Sequence, residues 1–144
     1  MQEKVLSVQE MREADRYTIE NYTDSKELMY RAGKAVFDVL YKDVRNVAIV
    51  CGSGNNAGDG YVLAGLLKEH NINCKLFLIE DKFSEDGRYY FDKCKENNID
   101  YEFITDDSGY TDFECIVDCI YGTGFKGKVK DNVRAIMEKI NSSK

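Results

Sequence analysis

The 144 residues, 43% of them hydrophobic, supply enough apolar content for one domain burying roughly 70% of the surface its unfolded chain exposes. Twenty Lys and Arg against twenty-six Asp and Glu leave a net charge of −6, which disfavours a general affinity for nucleic acid or an anionic membrane. No apolar run approaches the roughly 18 residues of a membrane helix, and the opening MQEKVLSVQEMREADR lacks the apolar core of a signal peptide, so a cytoplasmic protein is expected.

In chain order, Ser7-Val8-Gln9-Glu10 matches a capping box and predicts a helix from Val8 to about Asn21. Asp24 and Glu27 repeat the signature ahead of Leu28, Ala32, Ala35, Val36, Val39 and Leu40, whose spacing predicts a second helix ending near Tyr41. Met29, Tyr30 and Gly33 set a small residue at a packing position. Close approach of two helices explains this better than a lining role above the glycine loop that follows.

Val47 to Cys51 (VAIVC) has the length and β-branching of a fully buried parallel strand. The stretch GSGNNAGDGY, Gly52 to Tyr61, reads as a glycine loop, after which Val62, Leu63, Leu66 and Leu67 recur at helical spacing. Strand, loop and helix in that order gather backbone N–H groups and the positive end of a helix dipole at one point, which makes an anion site. Asn55, Asn56 and Asp59 are unusual additions to such a loop.

A turn at His70 to Asn73 precedes a second strand at Lys75 to Glu80, and Ser84 to Asn97 form a weaker helix interrupted by Gly87. Short strands are predicted at Tyr101 to Ile104 and Glu114 to Ile120. A closing helix at Asp131 to Ile140 carries Val133, Ile136, Met137 and Ile140 on one face. The alternation implies an α/β fold: a Rossmann-like three-layer αβα domain with a mainly parallel sheet. Thr105 to Phe113 is short for a crossover, which usually takes about a dozen residues, so it must run extended. The five cysteines, Cys51, Cys74, Cys94, Cys115 and Cys119, read as reduced core thiols, and a zinc site is disfavoured.

In a doubly wound sheet, ligands bind beyond the carboxyl ends of the strands where strand order reverses, here between the first and fourth strands. Both run into glycine-bearing loops. The second, Tyr121 to Lys128 (YGTGFKGK), adds Gly122, Thr123, Gly124, Phe125, Lys126, Gly127 and Lys128, a composition that suits phosphate better than an ordinary exposed basic loop. Asp118, near the end of a strand read as buried, would cost several kcal/mol if its charge were unpaired. A cation shared with an Asn oxygen of the first loop resolves this, and so do hydrogen bonds from loop amides; the residues leave both open, and Asp59 likewise. Oxygen ligands alone favour a hard ion. Gly52-x-Gly54 with Gly58 and Glu80 also makes a loose dinucleotide fingerprint, although the acid lies about 28 residues on rather than about 20. A dehydrogenase half is therefore one alternative.

MREAD (Met11 to Asp15), LMYRAG (Leu28 to Gly33), GSGNNAGDGYVLA (Gly52 to Ala64), VDCIYGTGFKGK (Val117 to Lys128) and a helix ending in Ile140-Asn141 together resemble the YjeF N-terminal domain, the NAD(P)HX epimerase family. The resemblance spans nearly the whole chain. It implies an enzyme interconverting the R and S epimers of hydrated NADH and NADPH, a repair reaction. It also implies that Asn55, Asn56, Ala57, Gly58 and Asp59 contact the hydrated dinucleotide and that Gly122 to Lys128 hold its phosphates. Asn56 and Asp118 would bind potassium as cofactor. A dehydratase domain is the expected partner in a longer protein. The family usually has glycine where Ala57 stands. Its next strand carries an Asp-x-Pro-Ser-Gly motif that provides the catalytic aspartate, and these 144 residues contain no proline. A C-terminally incomplete domain is thus expected, with the catalytic aspartate beyond Lys144 and the fourth strand exposing an edge for pairing, as in a homodimer. The remaining alternative is a non-catalytic module that binds a nucleotide.

Overall fold

The computed structural model describes residues 24–120 and 131–142, with side chains 131–133 and 142 excepted. The helix expected at Val8 to Asn21 and the loop Tyr121 to Lys128 lie outside the described residues. The elements are α1 (Ser25–Leu40), β1 (Asn46–Cys51), α2 (Asn55–Glu69), β2 (Asn73–Leu78), α3 (Glu85–Glu96), β3 (Asp100–Phe103), a 3₁₀ turn (Tyr110–Asp112), β4 (Cys115–Cys119) and α4 (Asp131–Ser142).

The four strands form one parallel sheet in the order β3-β2-β1-β4, with Val47 opposite Cys74 on one side and Cys115 on the other. This is the α/β, Rossmann-like arrangement expected from the sequence, and β1 is the strand at which the order reverses. Alternate residues of β1 divide the core. Val47, Ile49 and Cys51 pack with α1, α2 and α3, while Ala48 and Val50 pack with Phe77, Tyr110, Ile136 and Ile140. Each fully buried branched side chain of β1 contributes about 1.5–3 kcal/mol, so the central strand anchors both layers.

Asp24 caps α1, accepting a hydrogen bond from Lys26 N at 2.8 Å. Glu27 pairs with Arg31 at 3.2 Å, so the capping here is the aspartate's own turn and not a reciprocal box. The buried stripe is Leu28, Met29, Ala32, Gly33 and Phe37, and Val39, expected inside, is 60% exposed. Ser84 caps α3 through Gly87 N at 3.1 Å.

Two expectations shift. The second strand starts at Asn73, not Lys75, because Asn73 Nδ2 donates to Asn46 Oδ1 at 2.6 Å and extends the pairing to the first residue of β1. The preceding turn is tightened by Asn71, whose φ of 59° is left-handed. The first glycine loop is also much shorter than GSGNNAGDGY suggests: only Gly52, Ser53 and Gly54 connect strand to helix, and α2 begins at Asn55. The connection from β3 to β4 carries only the 3₁₀ turn, with Tyr110 and Phe113 edge-on to Phe77 at 5.6 and 5.7 Å. Its lack of a long helix explains how so few residues cross the sheet.

All five cysteines are free thiols, four of them buried. Burial pushes the Cys94 thiol up to about 12 and Cys74 up to about 11, which keeps them protonated, inert core groups. Among the described residues, no helix is long and apolar enough to cross a membrane.

Candidate functional site

The carboxyl ends of β1 and β4 lie side by side, Cys51 paired with Cys119, and the turn after β1 is tied to β4 by Gly52 N donating to Cys119 O at 3.1 Å. A Cβ at Gly52 would fall on the carbonyl oxygen of Ile120, so only glycine lets the two strand ends close up here. Gly54 then caps α2 in an extended conformation. Among the described residues, nothing lies within 4 Å of a Cβ placed at Gly54. The first-turn amides of α2 are directed past this end, toward any ligand lying across the carboxyl edge of the sheet.

The next residues differ from a solvent-facing loop. Asn55 is exposed, whereas Asn56 and Asp59 are 8% and 1% exposed, and Ala57 and Gly58 are buried with them. Gly58 is a contact between three helices: a Cβ there would strike the Met29 sulfur and come within 3.3 Å of Gly87 Cα. Gly60 presses α2 onto the sheet, where a Cβ would lie 3.0 Å from both Ile49 Cγ2 and Cys119 Sγ. Gly33 brings α1 equally close, with a hypothetical Cβ 2.6 Å from Val62 Cβ and 2.7 Å from Asp59 O. This is the packing role expected of Gly33. Met29, its neighbour, supports the first turn of α2 from behind.

Asp118 is exposed rather than buried, because β4 has a pairing partner on one side only among the described strands. Its Oδ1 accepts a hydrogen bond from Ile120 N at 3.0 Å. The desolvation cost expected of a buried charge therefore does not arise. A carboxylate keeps acceptor capacity beyond one such bond. Burial pushes the Cys119 thiol far up, and the carboxylates of Asp59 and then Asp118 push it the same way, which puts both acids within electrostatic reach of one sulfur. Among the described residues, no group of three or more His, Cys, Asp or Glu is placed to hold a metal ion.

Sequence reasoning missed Tyr61, whose hydroxyl is buried without a hydrogen-bond partner among the described residues. Desolvation drives its pKa strongly upward, so it stays a neutral hydroxyl inside an aromatic group with Phe83 and Phe91. Its place, one residue past the last glycine of GNNAGDG, was the available signal.

These features define an α/β domain with a glycine turn and a helix terminus that has no side-chain cap, at the switch point of a doubly wound sheet. A family profile described as YjeF-related protein N-terminus matches residues 25–144. The chain is 32% identical to the NAD(P)H-hydrate epimerase of Lentilactobacillus buchneri, over 97% of this chain and 67% of that protein. It is 30% identical to the bifunctional NAD(P)H-hydrate repair enzyme Nnr of Coxiella burnetii, over 93% of this chain and 28% of that one. The crystal structure of the yeast protein ynu0 superposes with a TM-score of 0.76 at 23% identity, covering 97% of this chain and 65% of that chain, a likeness of fold. The chain belongs to the YjeF-related N-terminal family, and it spans about two thirds or less of the length of these relatives.

Proposed function

We propose that the protein acts in nicotinamide nucleotide repair by interconverting the R and S epimers of hydrated NADH and NADPH. The observation that carries this reading is the adjacency of the Gly52–Asn55 turn and the carboxyl end of β4 in a chain that bears both GNNAGDG and VDCIYGTGFKGK. The helix terminus favours a pyrophosphate over β1. Asn55 reaches the substrate from the exposed first position of α2. Asn56, Ala57, Gly58 and Asp59, being buried, act on the substrate by fixing that turn and through their backbone, and the Asn56 side-chain oxygen is assigned to a cation. Gly122, Thr123, Gly124, Phe125, Lys126, Gly127 and Lys128 complete the phosphate contacts, the two lysines by charge.

Potassium would be held by Asn56 and Asp118. An amide oxygen and an exposed carboxylate are hard donors, which fits such an ion. Its charge would offset that of Asp118 beside the substrate phosphates. No residue of this sequence is assigned the proton transfer. The chain forms one domain, works in the cytoplasm, and in a longer protein would stand beside a dehydratase domain, as the Coxiella relative's bifunctional name suggests. Pairing of a second copy along the β4 edge would make a homodimer.

The test is to mix this chain, and separately the full gene product, with pure R-NADPHX and follow the S epimer by chromatography. Acceleration by either supports the assignment, and acceleration by neither defeats it. Thermal shifts in potassium and in sodium should differ; identical shifts would remove the cation from the proposal.

A further inference from the structure

On the face covered by α4, a cavity of about 190 Å³ opens at the carboxyl end of the sheet. Its walls are Ile79, which directly follows β2, Ile104, which directly follows β3, Tyr110 of the 3₁₀ turn and Ile136 of α4, with Asp106 and Lys139 as its charged members. Tyr110 is fixed from behind by Phe77. The Lys139 ammonium lies 4.9 Å from the centre of the Tyr110 ring and 3.3 Å from Ser108 O, so the cation is held at the cavity and not swept into solvent.

Size and position restrict the occupant. The cavity is many times the ~10–15 Å³ that one water or a small ion needs, and it falls below the ~300 Å³ at which sites for whole drug-sized ligands begin. One ring system fits. Neighbouring strands lie about 4.8 Å apart, so a site between the ends of β2 and β3 is one to two strand spacings from the Gly52–Asn55 turn, on the side away from β4 and Asp118. A dinucleotide whose pyrophosphate rests on that turn extends one arm toward each side.

We propose that this cavity takes the adenine ring of the nucleotide, an assignment that rests on the nucleotide reading of the glycine turn. Adenine is flat and apolar on both faces, which suits three isoleucines, while its edge offers an amine to donate and ring nitrogens to accept. Asp106 supplies the acceptor and Lys139 the donor. The hydrated nicotinamide ring is not aromatic and carries a hydroxyl and a carboxamide. Its saturated carbons pucker it and put the hydroxyl on a ring face, which the isoleucine walls do not match, so that ring belongs on the β4 side.

Isoleucine-methyl-labelled protein titrated with ADP and, separately, with nicotinamide mononucleotide tests the placement. ADP should move the methyl signals of Ile79, Ile104 and Ile136 and leave Ile72 and Ile99, at the other end of the sheet, in place; nicotinamide mononucleotide should move none of the three. Ile104→Trp, which fills the cavity, should weaken ADP binding at least tenfold without changing the affinity for the mononucleotide. Lys139→Gln, at the charged side of the cavity, should weaken ADP severalfold and covers the case in which the tryptophan variant does not fold. ADP binding with the three methyls unmoved, equal perturbation by the mononucleotide, or unweakened ADP binding by a folded variant would overturn the placement and leave the nucleotide reading standing. Binding of neither half-nucleotide would overturn both.

Discussion

On one face of the sheet, three helices meet Val47, Ile49, Cys51, Leu76 and Leu78, and Gly33, Gly58 and Gly60 let backbones close to within the reach of a single methyl. On the other, α4 and a 3₁₀ turn cover Ala48, Val50 and Phe77, and the cover leaves a cavity at the carboxyl edge. The contrast shows that glycine-rich sequence near a phosphate-type turn does two jobs. Gly52 and Gly54 shape the approach to the ligand end, whereas Gly58 and Gly60, a few residues on, serve helix and sheet packing. Among the described residues, the α4 face is the more sparsely covered, and large branched side chains stand around its cavity.

The contrast can be broken or sharpened by measured stabilities. Ile49→Ala, in the crowded layer, should cost about 3–5 kcal/mol in denaturant unfolding, the largest effect expected. Ile136→Ala, beside the cavity, should fall near the ~2 kcal/mol lower end of the same range, since part of its surroundings is already unfilled; an equal loss at both sites would erase the distinction between the faces. Gly33→Ala gains about 1 kcal/mol of helix propensity but forces a methyl onto Val62 and the Asp59 carbonyl, and overpacking of about 1–3 kcal/mol should leave it net destabilised. Gly65→Ala, with open space around the added carbon, should instead stabilise by about 0.5–1 kcal/mol. A smaller effect is expected at Glu102. Hydrogen bonds from Lys75 and then Ser108 hold its carboxyl below the usual carboxylate range. Because its folded pKa is depressed, its contribution is present above the unfolded value near 4.3 and lost as pH falls through the folded value. Glu102→Gln should therefore lie slightly below the parent at pH 7, and the two melting temperatures should converge in acid.

The fold was legible because its signals were redundant. VAIVC announces a buried parallel strand by composition alone, and apolar residues at helical spacing precede and follow it. The ends of elements were less legible, since they are set by partners distant in sequence: Asn73 joins β2 through Asn46, and Glu27 chooses Arg31 over the helix cap. The site was legible as a location but not in its interior. Nothing in GNNAGDG says that its middle is helical and buried, because Asn and Gly are poor helix formers and tertiary packing by Met29 and Gly87 overrides that preference. Asp118 was misjudged for a related reason: whether a strand residue is inside depends on which strands flank it, and β4 pairs only with β1 among the described strands.

The start of α2 inside the core bears on how the ligand end keeps time. Asn56 through Ala64 are buried without a break, so the helix terminus facing the ligand has no loose hinge of its own. The hydrogen-bonded amides of its buried second turn would then exchange with deuterium only when the whole domain opens, on the same clock as β1, while the first-turn amides stay open to a ligand. Binding would be read out as a slowing of that global clock.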